Sequence, residues 1–166
     1  CRTAHPFLSK VLFDNGVYIG YFFANEFYNN IDAVLVANEN FAHTAPANIL
    51  ASPPSTVSVK PLGYFVQGGP VCSFGSTTGW RCGTQLLENY LSSYLGGSFN
   101  LTRTSFCGAG GDSGGPVVTG GQYNQALGIF AAIDPGSNST CGGPVFGGSG
   151  VRYAYYQSLT IYLSRY

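Results

Sequence analysis

The sequence predicts an all-β fold, and three observations carry that prediction. Glycine contributes 24 of 166 residues, about twice its ordinary share. Short apolar runs recur between turn signals along most of the chain. Helical periodicity is confined to the last stretch.

Strands are expected over Val17–Phe23, Asp32–Val36, Val57–Val59, Tyr64–Val66, Thr84–Leu87, Ser98–Phe106, Pro116–Thr119 and Ala126–Ala132. Asp14-Asn15-Gly16, Pro53-Pro54, Gly68-Gly69-Pro70, Gly96-Gly97, Gly120-Gly121 and Asp134-Pro135-Gly136 punctuate them, as residues that supply unusual or preset backbone angles do. Over Ser98–Thr104 the alternation sets Phe99 and Leu101 on one face and Asn100, Thr102 and Thr104 on the other, which is expected to face outward. Tyr155, Leu159 and Leu163 recur every four residues, and Tyr162 and Tyr166 extend that face, so a terminal helix is expected there. Pro46–Pro61, rich in Pro, Ala and Ser, reads as a connection between two halves of one domain.

Charged residues make up only 8% of the chain and the formal net charge is zero, against about 25% charged in an average domain. No basic face invites nucleic acid and no acidic tract invites a cation. No apolar run reaches the roughly 18 residues that span a bilayer. The acceptor triplets Asn100-Leu101-Thr102 and Asn138-Ser139-Thr140 make both asparagines candidate glycan sites and point to an exported protein. The five cysteines lie among turns without the paired spacing of a zinc site. Their odd number leaves one without an internal partner.

Gly111-Asp112-Ser113-Gly114-Gly115-Pro116 carries the strongest chemical signal. A nucleophilic hydroxyl must emerge from a tight turn, and flanking glycines permit both the turn and close approach of a substrate. An oxyanion intermediate also needs preorganised N–H donors beside that hydroxyl. An isolated Gly-Ser-Gly reads better as a hairpin turn with an incidental serine, but the six-residue run followed by Val117-Val118 does not.

The hexapeptide resembles the nucleophile loop of the chymotrypsin-like serine proteases. The run from Val71 to Thr84, closed by Cys72 and Cys82, resembles a hairpin of the alpha-lytic protease and streptogrisin branch. Sequence alone leaves three pairings open for Cys72, Cys82, Cys107 and Cys141. The resemblance implies Cys72–Cys82 and Cys107–Cys141, the latter tying the nucleophile loop to a wall of the specificity pocket. It implies two six-stranded antiparallel Greek-key barrels of trypsin-like type. The N-terminal barrel would be incomplete over 1–50, and the C-terminal barrel and a short helix would fill 62–166 of a single domain. Ser113 would be the nucleophile, and the Gly111 and Ser113 N–H groups the oxyanion hole. Phe106, Ala131, Ala132 and Ile133 would line the substrate pocket. Side chains at 131–133 replace the glycines of the family's Ser-Gly-Gly strand, and no acid is present, so small or modest apolar residues are expected at the cleaved position.

A serine hydroxyl needs a histidine to take its proton and a carboxylate to orient that histidine. By resemblance Asp32, opening the apolar run Ala33-Val34-Leu35-Val36, is the carboxylate. It reads alternatively as a strand-end residue accepting turn hydrogen bonds. In the branch the histidine directly precedes a cysteine that corresponds to Cys1, so the base is expected upstream of residue 1, which would also explain the odd cysteine. His5 and His43 read as loop histidines. Asp112 is expected to need a cationic partner; where the branch carries arginine this chain has Ser73, leaving Arg81 as the nearest candidate.

The expected protein is a secreted, monomeric serine endopeptidase acting on protein or peptide substrates, with a pro-segment as a further partner. No cofactor, metal, nucleic acid or membrane partner is expected. A protease-like binding protein without catalysis is the alternative. A carbohydrate-binding module would suit the 12 tyrosines but leaves the Ser113 motif unexplained.

Overall fold

The computed structural model describes residues 11–14, 17–25, 34–38, 48–52, 55–94, 97–134 and 153–164. The chain divides into two units, Cys1–Pro46 and Ala47–Tyr166. In the first, β1 (Val11–Asp14), β2 (Val17–Asn25) and β3 (Val34–Asn38) form an antiparallel sheet in that order.

In the second unit β4 (Asn48–Ser52) and β5 (Ser55–Ser58) make a hairpin, so Pro46–Pro61 is not merely a connection. The remaining strands are β6 (Pro70–Gly75), β7 (Gly79–Tyr94), β8 (Gly97–Thr104), β9 (Pro116–Thr119), β10 (Ala126–Ile133) and β11 (Ala154–Ser158). They close a six-stranded barrel in the order β10-β11-β8-β7-β6-β9. Closure leaves no open sheet edge. Val71, Phe106, Val117, Leu127, Phe130, Ala154 and Tyr156 fill its core, with Ile133 packed against them.

Four sequence expectations change here. Tyr64–Val66 is not a strand: Tyr64 and Val66 are exposed, and the backbone turns back with Gly69 N–H donating to the Val66 carbonyl. The strand expected to reach Phe106 ends at Thr104. The terminal periodicity was misleading, because Tyr155 lies in β11 and the helix α1 spans only Leu159–Leu163. Every residue of β11 is buried, and a strand covered on both faces loses the alternation that distinguishes it from a helix. Finally, Thr102 and Thr104 do not face outward. They pair in register with Tyr156 and Ala154, so they share the face that lines the core, and both are fully buried. The Thr104 hydroxyl donates to the Ala154 carbonyl at 2.9 Å. Asn100 is exposed.

Tyr155, on the other face of β11, stacks on Tyr90 with ring centroids 5.3 Å apart. Burial, with Arg103 opposing it, pushes its hydroxyl up to about 12. An unfolded tyrosine ionises near 10, so the folded chain favours the neutral phenol. That contribution is complete below about pH 10 and is lost as pH rises through about 12. Tyr155→Phe is therefore expected to make stability fall less steeply over that window, measured by urea unfolding at about pH 9 and about pH 11.5. An unchanged slope would contradict the account.

Candidate active site

The loop from Ala109 to Gly115 joins the Cys107 region to β9. Its backbone is set by two glycines with positive φ, Gly111 at 99° and Gly114 at 88°, where an L side chain is strained. Two bonds to β10 fix its far end: Gly114 N–H donates to the Phe130 carbonyl and Phe130 N–H to the Gly115 carbonyl, both at 2.8 Å. Ser113 is exposed, and its hydroxyl donates to the Ala131 carbonyl at 3.3 Å. The β10–β11 register shifts between Phe130 and Ala132. This irregularity re-aims the strand locally, and Ala131 sits within it. Among the described residues, neither the Gly111 nor the Ser113 N–H donates to a protein acceptor.

Asp112 is 2% exposed, and an unpaired buried carboxylate would be strongly destabilising. Its partners are four neutral donors. Thr77 N–H and Thr78 N–H donate to Oδ1 at 2.8 and 3.0 Å. The Thr78 hydroxyl and Ala109 N–H each donate to Oδ2 at 2.8 Å. Hydrogen bonds to the charged form stabilise it much as a counterion would. Arg81, the expected candidate, makes no ion pair with Asp112; among the described residues the ion pair is Arg103–Asp134 at 3.8 Å. Ser73 instead donates from its hydroxyl to the Pro116 carbonyl at 3.0 Å.

Three of the four donors belong to the turn Ser76-Thr77-Thr78 between β6 and β7, and the fourth, Ala109 N–H, to the loop itself. Cys72 and Cys82, directly opposed in register, are disulfide-bonded across these strands, as the resemblance implied. Closing so short a loop restricts the unfolded chain by roughly 2–3 kcal/mol. At the end of β6, Gly75 leaves room for the Asp112 carboxylate in the space a Cβ would take.

Cys107 is also disulfide-bonded; Cys141, its expected partner, lies outside the described residues. So do Asp32, His5, His43 and Asn138. Phe106 is 0% exposed and its ring centroid lies 5.8 Å from that of Phe130. Ala131, Ala132 and Ile133 are half-buried. A Cβ placed on Gly108 would collide with the Phe130 ring and approach Ile133 Cγ2 at 3.1 Å. The segment after Cys107 and the end of β10 thus pack directly on each other.

Streptogrisin-C of Streptomyces griseus is 40% identical over 82 residues, 49% of this chain but 17% of streptogrisin-C. Protease A of Thermobifida fusca, a solved structure, is 30% identical with a TM-score of 0.68, covering 88% of this chain and 70% of its own. The chain belongs to the chymotrypsin-like serine protease family. Within it the likeness is to the alpha-lytic protease and streptogrisin branch. The chymotrypsin of Cellulomonas bogoriensis superposes with a TM-score of 0.72 at 28% identity, over 89% of this chain and 72% of its own. No family model matches.

Against that family background the hydroxyl turn at 76–78 and Phe130 are the residues that sequence reasoning passed over. The turn was legible only as three consecutive hydroxyl residues inside a cysteine-closed hairpin. Phe130 stood in the apolar run of β10 with nothing to separate it from core.

Proposed function

We propose that the intact protein is a secreted serine endopeptidase that hydrolyses peptide bonds through an acyl-enzyme on Ser113. The observation that carries this reading is an exposed hydroxyl on a glycine-turned loop, flanked by two N–H groups without protein acceptors among the described residues. In this reading Ser113 Oγ attacks the substrate carbonyl and a histidine takes its proton. The Gly111 and Ser113 N–H groups hold the resulting oxyanion. Asp32 serves as the orienting carboxylate, and Cys107 pairs with Cys141. Asn100 and Asn138 carry glycans, in keeping with export.

Incubating the full-length gene product with a fluorophosphonate is expected to add one label, found on Ser113 by peptide mass spectrometry. A protein that stays unlabelled while folded would favour a protease-like binding protein.

Substrates with glycine or alanine before the cleaved bond fit this site best. A pocket between the Cys107–Gly108 segment and β10 would have to open where Gly108 meets Phe130. Displacing that ring forfeits core packing, which no substrate side chain restores in full. Peptides with glycine or alanine at that position are expected to have kcat/KM values at least about 10-fold above the phenylalanine equivalents. A preference for phenylalanine would refute the pocket argument.

A further inference from the structure

The direction of each unpaired N–H on the Ser113 loop is set by the carbonyl of its own peptide, because in a trans peptide the N–H and C=O point in opposite directions. For the Ser113 N–H that carbonyl belongs to Asp112, and Gly115 N–H holds it at 3.0 Å. This bond is between backbone groups and does not depend on side-chain identity. For the Gly111 N–H the carbonyl belongs to Gly110, and its partner is the Thr77 hydroxyl, donating at 2.8 Å. Among the described residues Gly110 O has no other donor. The same hydroxyl occupies the space where a Cβ on Gly111 would lie. One peptide further on, the Ser76 hydroxyl donates to the Gly111 carbonyl at 2.7 Å. The amide of Thr77 meanwhile binds Asp112 Oδ1, which fixes where the residue sits independently of its hydroxyl.

Gly110 and Gly111 have no side chain to restrain their shared peptide, and a glycine pair admits both orientations of the plane between them. We propose that Thr77 is a positioning residue: its hydroxyl, through the Gly110 carbonyl, holds the Gly110–Gly111 peptide so that the Gly111 N–H is available to an oxyanion formed at Ser113. The proposal rests on the reading of Ser113 as nucleophile and adds a residue outside the loop on which that chemistry depends. Without the hydroxyl the peptide is free to turn over and present a carbonyl oxygen, which would repel the developing negative charge.

The test uses the full-length protein with Thr77→Val, which keeps the shape and the amide but removes the hydroxyl, and Thr77→Ser, which keeps the hydroxyl. Thr77→Val is expected to lower kcat for a peptide substrate by about 10- to 100-fold, short of the loss on deleting an oxyanion donor outright, with KM changed less than about threefold. Thr77→Ser is expected to stay within about threefold of the parent in both. A crystal structure of Thr77→Val should show the Gly110–Gly111 peptide turned over or in two orientations. An unturned peptide, or a Thr77→Val enzyme with the parent's kcat, would overturn the proposal. So would a Thr77→Ser enzyme as slow as Thr77→Val. If the unsubstituted protein itself fails to react with a fluorophosphonate, the nucleophile reading falls instead, and the crystallographic arm still decides whether Thr77 holds the peptide.

Discussion

Ser113→Ala is expected to abolish fluorophosphonate labelling of the full-length protein and to lower peptide hydrolysis by about 10⁴-fold or more. Removing the nucleophile leaves only the contribution of the oxyanion donors and substrate binding. The fold should not register the change. Ser113 is exposed, and its hydroxyl makes one long bond to the Ala131 carbonyl. The loop is held by other bonds: Gly114 N–H to Phe130 O, Phe130 N–H to Gly115 O and Gly115 N–H to Asp112 O. Thermal unfolding is therefore expected within about 1–2 °C of the parent, since an exposed substitution away from packing and networks alters stability by only about 0.5 kcal/mol. Activity that survives the substitution would end the assignment of Ser113. Activity lost together with folding would contradict the account of how the loop is held.

Much of this loop was legible in the sequence because its residue types are dictated by backbone demands. Gly111 and Gly114 are needed at φ values of 99° and 88°, and such demands leave a mark at fixed positions. The cysteine-closed hairpin was legible for a similar reason, since Cys72 and Cys82 stand directly opposite each other. The C-terminal strand was not. Ala154-Tyr155-Tyr156-Gln157-Ser158 is covered on both faces, so nothing in its polarity marks a period of two, and the chance spacing of Tyr155 and Leu159 imitates a helix. Thr102 and Thr104 misled in the opposite sense. Their hydroxyls suggested solvent, yet β8 turns them into the barrel, where Thr104 finds the Ala154 carbonyl.

The partner of Asp112 was illegible for a deeper reason. A buried carboxylate suggests a cation, and a search for cations finds Arg81. Backbone amides carry no sequence signature, however, and three of the four donors to Asp112 are amides. The Thr78 hydroxyl supplies the fourth. What the sequence does contain is the condition for this arrangement, a residue without a Cβ at the end of β6.

Gly75→Ala tests that condition. A Cβ there meets Asp112 Cγ, Oδ1 and Cβ at impossible distances. The obstructing atoms are not a flexible tip, because four hydrogen bonds hold the carboxylate. Either β6 moves away from the loop or the carboxylate leaves its donors, and both routes strand buried polar groups. The expected loss is about 3–5 kcal/mol, a fall in melting temperature on the order of 10 °C, accompanied by loss of Ser113 labelling. Asp112→Ala alone should also destabilise, by leaving the Thr77, Thr78 and Ala109 amides without their acceptor. The two substitutions act on one contact, so they should not add. In the double variant the contacts with Asp112 Cγ and Oδ1 are gone and only the approach to the Cβ of residue 112 at 2.7 Å remains to be relieved, so the combined loss should fall short of the sum by about 1–3 kcal/mol. Urea unfolding of the parent, both single variants and the double variant measures that coupling. Strict additivity would mean that Gly75 is tolerated rather than required, and that the carboxylate is held from some other side.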